Sequence, residues 1–311
     1  MGIKHNYQSG TANSGTAEVS SIRWNEDHVI TGVLPIPAVL AATPAAGYLN
    51  LRGYNKAEKV MLGIIEPSGT ECALQPHFGS TKINSYQAIG GVTTVGTVLG
   101  MAAPTVLGTA NARALAATNL ATRLHRIGYV SAATAGGTCG MRDANLKWAK
   151  GNGVGVGGFF ARFRFIPSDA AVVANALMFI GMYGTSTAIA ATTTPQSLVN
   201  CVGIAQIAGS TNMHIVYGGA VAQTPIDLGA NFPCSGAGTA MFELILNAAP
   251  DGYIYYYVKN LSIGIITSGT LSAANTPANS TFLCWHVHRS NNATALAVGI
   301  DVGSIYIEMD N

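Results

Sequence analysis

Charged residues are scarce in this sequence. Lys and Arg number 16 and Asp and Glu 14 among 311 residues, so charged side chains make up 10% of the chain, whereas soluble domains carry about 25%. The formal net charge of +2 leaves no excess of basic residues of the kind that binds nucleic acid or an anionic membrane surface. The composition therefore argues against both kinds of partner.

Long apolar runs are also missing. The stretches Ile83–Ala112 and Ala170–Ile226 contain no Asp, Glu, Lys or Arg. Gly, Pro, Thr, Asn and Gln interrupt both of them, whereas a membrane-spanning helix needs about 20 predominantly apolar residues. Residues 1–15 are polar and lack the apolar centre of a signal peptide. We therefore expect neither membrane insertion nor secretion through a signal peptide.

Cysteine spacing provides no metal or redox motif. The cysteines lie far apart, at positions 72, 139, 201, 234 and 284. No two of them have the C-x-x-C spacing of zinc or thiol redox sites, and their odd number fits no disulfide framework. The expected state is that of scattered, buried thiols in a reducing cytosol.

Short β-prone segments make up much of the chain. The clearest are Val60–Ile65, Phe159–Phe165, Phe242–Leu246, Tyr253–Val258 and Ala295–Met309. The second alternates with period two, which predicts a strand with Arg162 and Arg164 on one face and phenylalanines on the other. An Asp-Gly turn joins the third and fourth as a hairpin. Without strand–helix alternation, this pattern predicts an all-β fold, an antiparallel β-sandwich of jelly-roll or lectin-like type.

One segment fits two secondary structures. Leu120, Leu124 and Ile127 have helical spacing before Gly128, and glycine commonly follows the last turn of a helix. The same residues also fit a strand that continues into Tyr129. We favour the strand.

The first 45 residues differ from the remainder. They contain the polar and aromatic run Ile22–Ile30 and the segment Leu34–Pro37, whose two prolines disfavour a helix. We therefore expect an extended N-terminal arm over residues 1–45 and a β-sandwich body over residues 46–311. The glycine-rich segment 151–158 is a candidate boundary within the body.

None of the catalytic motifs has the context that its chemistry needs. Gly153–Gly158 satisfies G-x-G-x-x-G, but a strand follows it where a dinucleotide site requires a helix. No G-x-S-x-G nucleophile motif occurs. The acids are dispersed without an obvious pair, and four lie in turn-like sequences where carboxylates accept backbone amides: Asp169, Asp227, Asp251 and Asp301. The sequence therefore predicts a protein that is not an enzyme.

His286 and His288 have a metal-like spacing. Residues i and i+2 of a strand face the same side, so both imidazoles can ligate one transition metal, or three chains can surround it on a threefold axis. The alternative is two polar residues on a solvated face, with Trp285 and Val287 turned to the core. No other cofactor is expected.

Four tyrosines lie close together, at positions 253, 255, 256 and 257. An aromatic ring can stack on the apolar face of a sugar while its hydroxyl forms a hydrogen bond. Packing between neighbouring strands explains the same cluster. We favour packing.

The segment Ile22–Gly32 resembles the N-terminal segment of many virion appendage proteins of tailed bacteriophages. The resemblance implies that Trp24, Asn25, Asp27 and His28 anchor the protein to other tail or baseplate proteins. Insertion of the indole into a pocket of the partner is the corresponding physical picture, since tryptophan is prominent among interface anchors.

Five further segments look like the distal domain of phage tail fibre proteins, in chain order Gly128–Gly136, Gly157–Phe160, Met178–Met182, Ile226–Pro233 and Ala295–Asp301. The resemblance implies a non-enzymatic homotrimer of the virion that presents a β-rich receptor-binding domain to the host. The implied partners are a bacterial surface polysaccharide or an outer-membrane protein. A purely structural head-fibre, decoration or baseplate adaptor protein, which binds only other virion proteins, is the alternative.

The shortage of charge independently favours an oligomer. A body with so few charges is poorly solvated if all of its outer faces meet water. A threefold assembly covers such faces and leaves no open edges. We expect much of the buried contact in the uncharged stretch 170–226, where Leu177, Phe179, Ile180 and their neighbours are shared between the core and the interface.

Overall fold

The computed structural model describes residues 50–65, 71–73, 82–98, 101–152, 158–236, 239–249 and 251–309. The chain divides into two units, Met1–Pro37 and Ala38–Asn311, and every described residue lies in the second. The predicted anchoring residues Trp24, Asn25, Asp27 and His28 lie outside the described residues, as does most of the glycine-rich segment. The division into arm and body stays a prediction.

The described residues are mostly β-strands and their connections. The first ten strands are β1 (Asn50–Lys56), β2 (Lys59–Ile65), β3 (Glu71–Ala73), β4 (Lys82–Ala88), β5 (Val95–Val98), β6 (Thr105–Leu107), β7 (Thr109–Ala112), β8 (Ile127–Val130), β9 (Thr138–Arg142) and β10 (Phe159–Pro167). The others are β11 (Leu177–Tyr183), β12 (Cys201–Gln206), β13 (His214–Gly218), β14 (Ile226–Asp227), β15 (Phe242–Ala248), β16 (Ile254–Asn260), β17 (Ile266–Leu271), β18 (Cys284–Ser290) and β19 (Gly299–Met309).

Helical structure in the described part of the chain is confined to short pieces. They are the helix α1 (Leu120–Arg123) and two 3-10 turns, Pro195–Ser197 and Ala273–Asn275. None of these described helices has the length and apolar character required to cross a membrane.

The strands form three antiparallel sheets. A small sheet has the order β1-β2-β3. A nine-stranded sheet follows the path β17-β16-β15-β10-β19-β4-β5, with β8 also beside β19 and β7 beside β8. A seven-stranded sheet has the order β14-β13-β12-β11-β18-β9-β6. The two large sheets share one apolar core. This arrangement confirms the predicted all-β fold, an antiparallel β-sandwich.

One apolar core lies between the two large sheets. Alternation along β10 places Phe159, Phe163 and Phe165 in this core and turns Arg162 and Arg164 outward, as predicted. The seven-stranded sheet contributes Met178, Ile180, Val202, Ile204, Ile215, Trp285 and Val287. Full burial of a large apolar side chain stabilises a fold by about 1.5–3 kcal/mol, so this shared core holds the two sheets together.

The predicted hairpin is formed by β15 and β16, which pair along their whole length. In the turn, Gly252 has a φ of +84° and the Asp251 carboxylate accepts a hydrogen bond from the backbone N–H of Tyr253 at 2.9 Å. Tyr256 lies in the core and Tyr257 in an apolar cluster on the outer face of the sheet. The packing interpretation is therefore confirmed for these two tyrosines.

The strand predicted from Leu120 onward is wrong in its first half. Leu120–Arg123 forms α1, and a capping box between Asn119 and Thr122 closes its first turn with bonds of 2.9 and 3.1 Å. The strand β8 begins at Ile127 and contains Gly128. The capping side chain decides between two structures that the leucine spacing fits equally.

The hairpin of β1 and β2 packs on the outer face of the nine-stranded sheet. Asn247 Nδ2 donates to the carbonyl oxygen of Ala57 at 2.7 Å. Lys59 Nζ lies 2.5 Å from the Glu308 carboxylate and 5.2 Å from the centre of the Phe160 ring. These contacts fix the hairpin to the sandwich.

Four cysteines are buried free thiols, namely Cys139, Cys201, Cys234 and Cys284. Burial raises the pKa of each thiol to about 12. Thiolate is the reactive form of cysteine, so these thiols are inert at neutral pH. This confirms the buried-thiol prediction for these four residues.

The connection between β11 and β12, residues 184–200, covers the outer face of the seven-stranded sheet. We call it the β11–β12 segment. Its Ile189 packs on an apolar cluster that includes Phe179. Leu177, Phe179 and Ile180 are all 0% exposed within a single chain. The predicted share of these three residues in the core is therefore confirmed, whereas the contact between chains expected of them is wrong, because the chain itself covers them.

Candidate functional site

The nine-stranded sheet changes its pairing in the middle of β19. This strand pairs with β8 over residues 299–302 and with β4 over residues 304–309, so β8 and β4 lie end to end along one side of it. Gly303 lies between the two paired stretches, opposite a register shift at the Arg164–Phe165 step of β10. Such β-bulges interrupt the ladder and redirect side chains, often beside functional sites. A cleft opens here on the outer face of the sheet.

The cleft has a volume of about 370 Å³. It is lined by Gln87, Ala88, Arg123, Leu124, His125, Arg162, Arg164, Met241, Gly303 and Ser304. Three arginines and a histidine thus share one cleft, and none of these described lining residues is acidic. In a chain with only 16 Lys and Arg residues, this arrangement concentrates positive charge at one place on the body.

The rim of the cleft is held by a buried ion pair. Arg126 Nη1 donates to the carbonyl oxygen of Ala121 in α1 at 2.6 Å, and its Nε donates to Asp301 of β19 at 3.1 Å. Arg126 thereby ties α1 to the sheet. The capped helix and this tie position Arg123 and His125 at the mouth of the cleft.

Strand β10 supplies the other two arginines. Arg164 Nε donates to the buried carboxylate of Glu243 at 2.9 Å, and the strand register places Arg162 beside Tyr306. Arg123 Nε donates to a backbone carbonyl oxygen at 3.3 Å. A guanidinium that is oriented through Nε still has two terminal nitrogens with which to bind a ligand.

This group of side chains is suited to binding an anion. Guanidinium groups bind carboxylates, sulfates and phosphates through paired, charge-assisted hydrogen bonds. Gln87 and Ser304 add neutral groups that can hydrogen-bond hydroxyls. Glycosidic hydrolysis would require two opposed carboxylates, and the lining residues include none.

A second depression, of about 470 Å³, is lined by residues 169–175 with Thr294, Leu296 and Ala297. Its one ionisable side chain among these residues is Asp169. That carboxylate accepts a hydrogen bond from the backbone N–H of Gly299 at 2.8 Å and pairs with Arg289. Because Asp169 is engaged in the fold, we assign the candidate site to the arginine-lined cleft.

The turn-like aspartates are all bound within the fold. Asp169, Asp227 and Asp251 accept backbone N–H groups at 2.8–2.9 Å, which confirms the structural role predicted for them. Asp301 accepts from two arginines instead, at 2.9 and 3.1 Å.

His286 and His288 lie on the outer face of β18 and are 1% and 2% exposed. His286 Nε2 is 2.8 Å from the carbonyl oxygen of Thr185 and 3.4 Å from Cys284 Sγ. Neither ring nitrogen of His288 has a hydrogen-bond partner in the described structure. Burial lowers the pKa of His286 to about 4 and that of His288 to about 3, so both rings are neutral at pH 7.

The β11–β12 segment encloses both imidazoles. It meets β18 at His286 through Thr185 and at Ser290 through the carbonyl oxygen of Ala191, 2.6 Å from Ser290 Oγ. The solvated face of the alternative is therefore wrong, whereas its placement of Trp285 and Val287 in the core is confirmed. No group of three metal-ligating side chains occurs in the described ranges. The metal on a threefold axis stays a prediction, and it requires this segment to move aside.

No pattern in the sequence indicates that Arg123 and His125 lie near the two arginines of β10. The period-two pattern places Arg162 and Arg164 on one face of a strand, but it does not say what adjoins that face. Only the pairing of β19 brings the four side chains together.

No protein-family model matches the chain, and no curated protein sequence matches it. Among solved structures it is similar to peanut lectin, at 11% identity and a TM-score of 0.48 over 74% of this chain and 97% of that one. Lectin II from Ulex europaeus gives 10% identity and a TM-score of 0.46 over 73% and 98%. A protein of unknown function from Shewanella oneidensis MR-1 gives 14% identity and a TM-score of 0.46 over 76% and 89%. These similarities concern the fold alone.

Proposed function

We propose that this chain is a tail fibre protein of a tailed bacteriophage, and that its β-sandwich body attaches the virion to the host cell surface. The five segments that resemble tail fibre proteins support this role. The structural observation that carries the proposal is the arginine-lined cleft, because attachment to a surface needs an accessible binding site on the body.

In this proposal the body binds without catalysing a reaction. The buried carboxylates among the described residues are those of Asp143, Glu243, Asp301 and Glu308, and each lies within 3.1 Å of an Arg or Lys nitrogen. Carboxylates paired in this way stabilise the fold. Hydrolysis of a glycosidic bond needs carboxylates that face each other across a substrate, so these pairs favour a binding protein.

The proposal assigns attachment to the virion to residues 1–45. Trp24, Asn25, Asp27 and His28 would bind another tail or baseplate protein, and the protein would be made in the bacterial cytoplasm before assembly. The body would then project toward the host and contact a surface polysaccharide or an outer-membrane protein.

We further propose that the body is a homotrimer. Two groups of aliphatic side chains are exposed in the single chain. Leu51, Val60 and Leu62 lie on the small sheet, and Ile263, Ile265 and Ile266 lie just before and at the start of β17. Strand β17 is also an edge of the nine-stranded sheet. Contact between copies covers such apolar groups, and closed symmetry does so without open-ended growth.

We expect the purified protein to have the mass of three chains, each of 32.0 kDa, in light scattering coupled to size exclusion. Ile265→Asp should shift the mass toward one chain, because it places a carboxylate in the proposed contact. Leu146→Asp is the control, since Leu146 is 42% exposed and Ile265 41%. A stable species of one chain mass at micromolar concentration would contradict the trimer.

Fluorescently labelled full-length protein is expected to bind intact cells that the phage infects and not cells of receptor-deficient mutants. A form without residues 1–45 should still bind these cells but should no longer enter phage particles, which immunoblotting of purified virions measures. Full incorporation into particles without any cell binding would reject the attachment role and favour an adaptor that binds only virion proteins.

A further inference from the structure

We infer that the arginine-lined cleft recognises an oxyanion, the carboxylate or phosphate group of an acidic polysaccharide on the host surface. This inference names the ligand class of the proposed attachment function and rests on it. The cleft is defined by its lining residues on β4, β10 and β19, on α1 and the two residues that follow it, and at Met241 before β15.

Charge within the cleft is only partly compensated by the protein. Glu243 pairs with Arg164, and no carboxylate of the described residues pairs with Arg123. Positive groups that share a cleft repel one another, and water screens this repulsion less where the walls are protein. An anion that enters between them lowers the energy of the whole group. The cleft therefore favours ligands with negative charge over neutral ones.

The remaining lining residues indicate a sugar rather than a free inorganic anion. Leu124, which is partly exposed, provides apolar surface on which the carbon-bound hydrogens of a sugar ring can pack. Gln87 and Ser304 provide hydrogen-bonding groups for hydroxyls. A simple phosphate ion would use the arginines and leave these groups without a role.

The size of the cleft favours a polysaccharide over a protein receptor. Its volume of about 370 Å³ lies at the lower end of small-molecule pockets, which span about 300–1,000 Å³. A protein partner would need an interface of about 800 Å² on each side. A short, charged stretch of a glycan chain fits the space that is present.

The test is calorimetric titration of the full-length protein with four probes: trigalacturonate, glucose 6-phosphate, inorganic phosphate and maltotriose. We expect trigalacturonate or glucose 6-phosphate to bind at least about tenfold more tightly than neutral maltotriose, and the tighter of the two identifies the anion. Inorganic phosphate should bind more weakly than either sugar. Equal binding of maltotriose, or tighter binding of inorganic phosphate than of both charged sugars, would overturn the inference.

Two variants locate the binding. Arg123→Gln combined with His125→Gln should lower the affinity for the more tightly bound probe by at least about tenfold, since both side chains are exposed hydrogen-bond donors of the cleft. Lys147→Gln removes a positive charge outside the cleft, where Lys147 pairs with Asp143, and should leave the affinity unchanged. Unchanged affinity in the double variant would overturn the assignment.

A third measurement does not depend on the folding of any variant. Wild-type affinity for the charged sugar should fall by at least about tenfold between 50 and 300 mM NaCl, because salt screens exposed charges. Affinity that is insensitive to salt would contradict an electrostatic site.

The outcomes separate this inference from the proposed function. If wild-type protein and the double variant bind host cells equally, the cleft is not the receptor site, although attachment stands. If the protein binds charged sugars through the cleft but binds no host cells, the cleft assignment stands as an oxyanion site and the attachment function fails.

Discussion

Replacement of Arg289 by methionine is expected to lower the free energy of unfolding by about 3–5 kcal/mol. Arg289 is 0% exposed, pairs with Asp169, and donates through Nη1 to the Gln206 side chain at 3.0 Å. Methionine fills much of the same space but provides no charge and no donor. The Asp169 carboxylate, only 9% exposed, would then be left without its cation, and desolvation of an unpaired charge is costly.

Unfolding in urea at one fixed protein concentration measures this effect, with the buried Trp148 and Trp285 as fluorescent reporters. Arg123→Met makes the same chemical change at an exposed position and should cost less than about 1 kcal/mol. Adding Asp169→Asn to Arg289→Met should restore part of the loss, because it removes the unpaired charge. A loss below about 1 kcal/mol for the buried replacement would contradict the expectation.

Acidification from pH 7 to pH 5 is expected to destabilise the fold by about 2 kcal/mol for each of His286 and His288. Burial lowers their pKa values to about 4 and about 3, whereas an unfolded chain titrates histidine at about 6.5. Below pH 6.5 the unfolded chain therefore binds protons that the folded chain does not. The stability present above that pH is lost as the pH falls toward the folded values. Arg142, Arg289 and Asp143 are the charged groups that act on these rings.

His288→Phe isolates one of the two contributions. The phenyl ring has nearly the same shape, cannot titrate, and removes two ring nitrogens that have no partner among the described residues. Between pH 7 and pH 5, the free energy of unfolding of this variant should fall by about 2 kcal/mol less than that of wild type, as measured by urea unfolding at both pH values. Phe179→Leu, opposite His288 on β11, is the control, since it should weaken the fold without changing its pH dependence. An unaltered pH dependence in His288→Phe would exclude the buried ring as its source.

The fold class was predictable because its signals are local. Period-two alternation along Phe159–Phe165 and the Asp251-Gly252 turn each depend on a few neighbouring residues, and the structure has the expected strand and hairpin there. The segment at Leu120 was not predictable from its leucines. The capping side chain of Asn119, and not the apolar spacing, marks the start of the helix.

The candidate site was not predictable, because it depends on pairing between distant parts of the chain. Arg164 and Arg123 share a cleft only because the pairing partner of β19 changes from β8 to β4 at Gly303. The burial of His288 likewise depends on the β11–β12 segment. That segment has no charges and no strand pattern to indicate that it folds back over β18.

The position of β19 also determines when the sandwich can be completed during synthesis. It is the last strand of the described chain, yet it lies in the interior of the nine-stranded sheet, between β10 and β4. Strands β10, β15 and β16 can pair as soon as they leave the ribosome, and so can β4 and β5. The facing edges of β10 and β4 must wait for β19, which is translated after all of them. Pairing over such separations is slow. Until β19 is in place, the unpaired edges of β10 and β4 can associate with other nascent chains. The arrival of β19 is therefore the step at which a new chain either completes its body or aggregates.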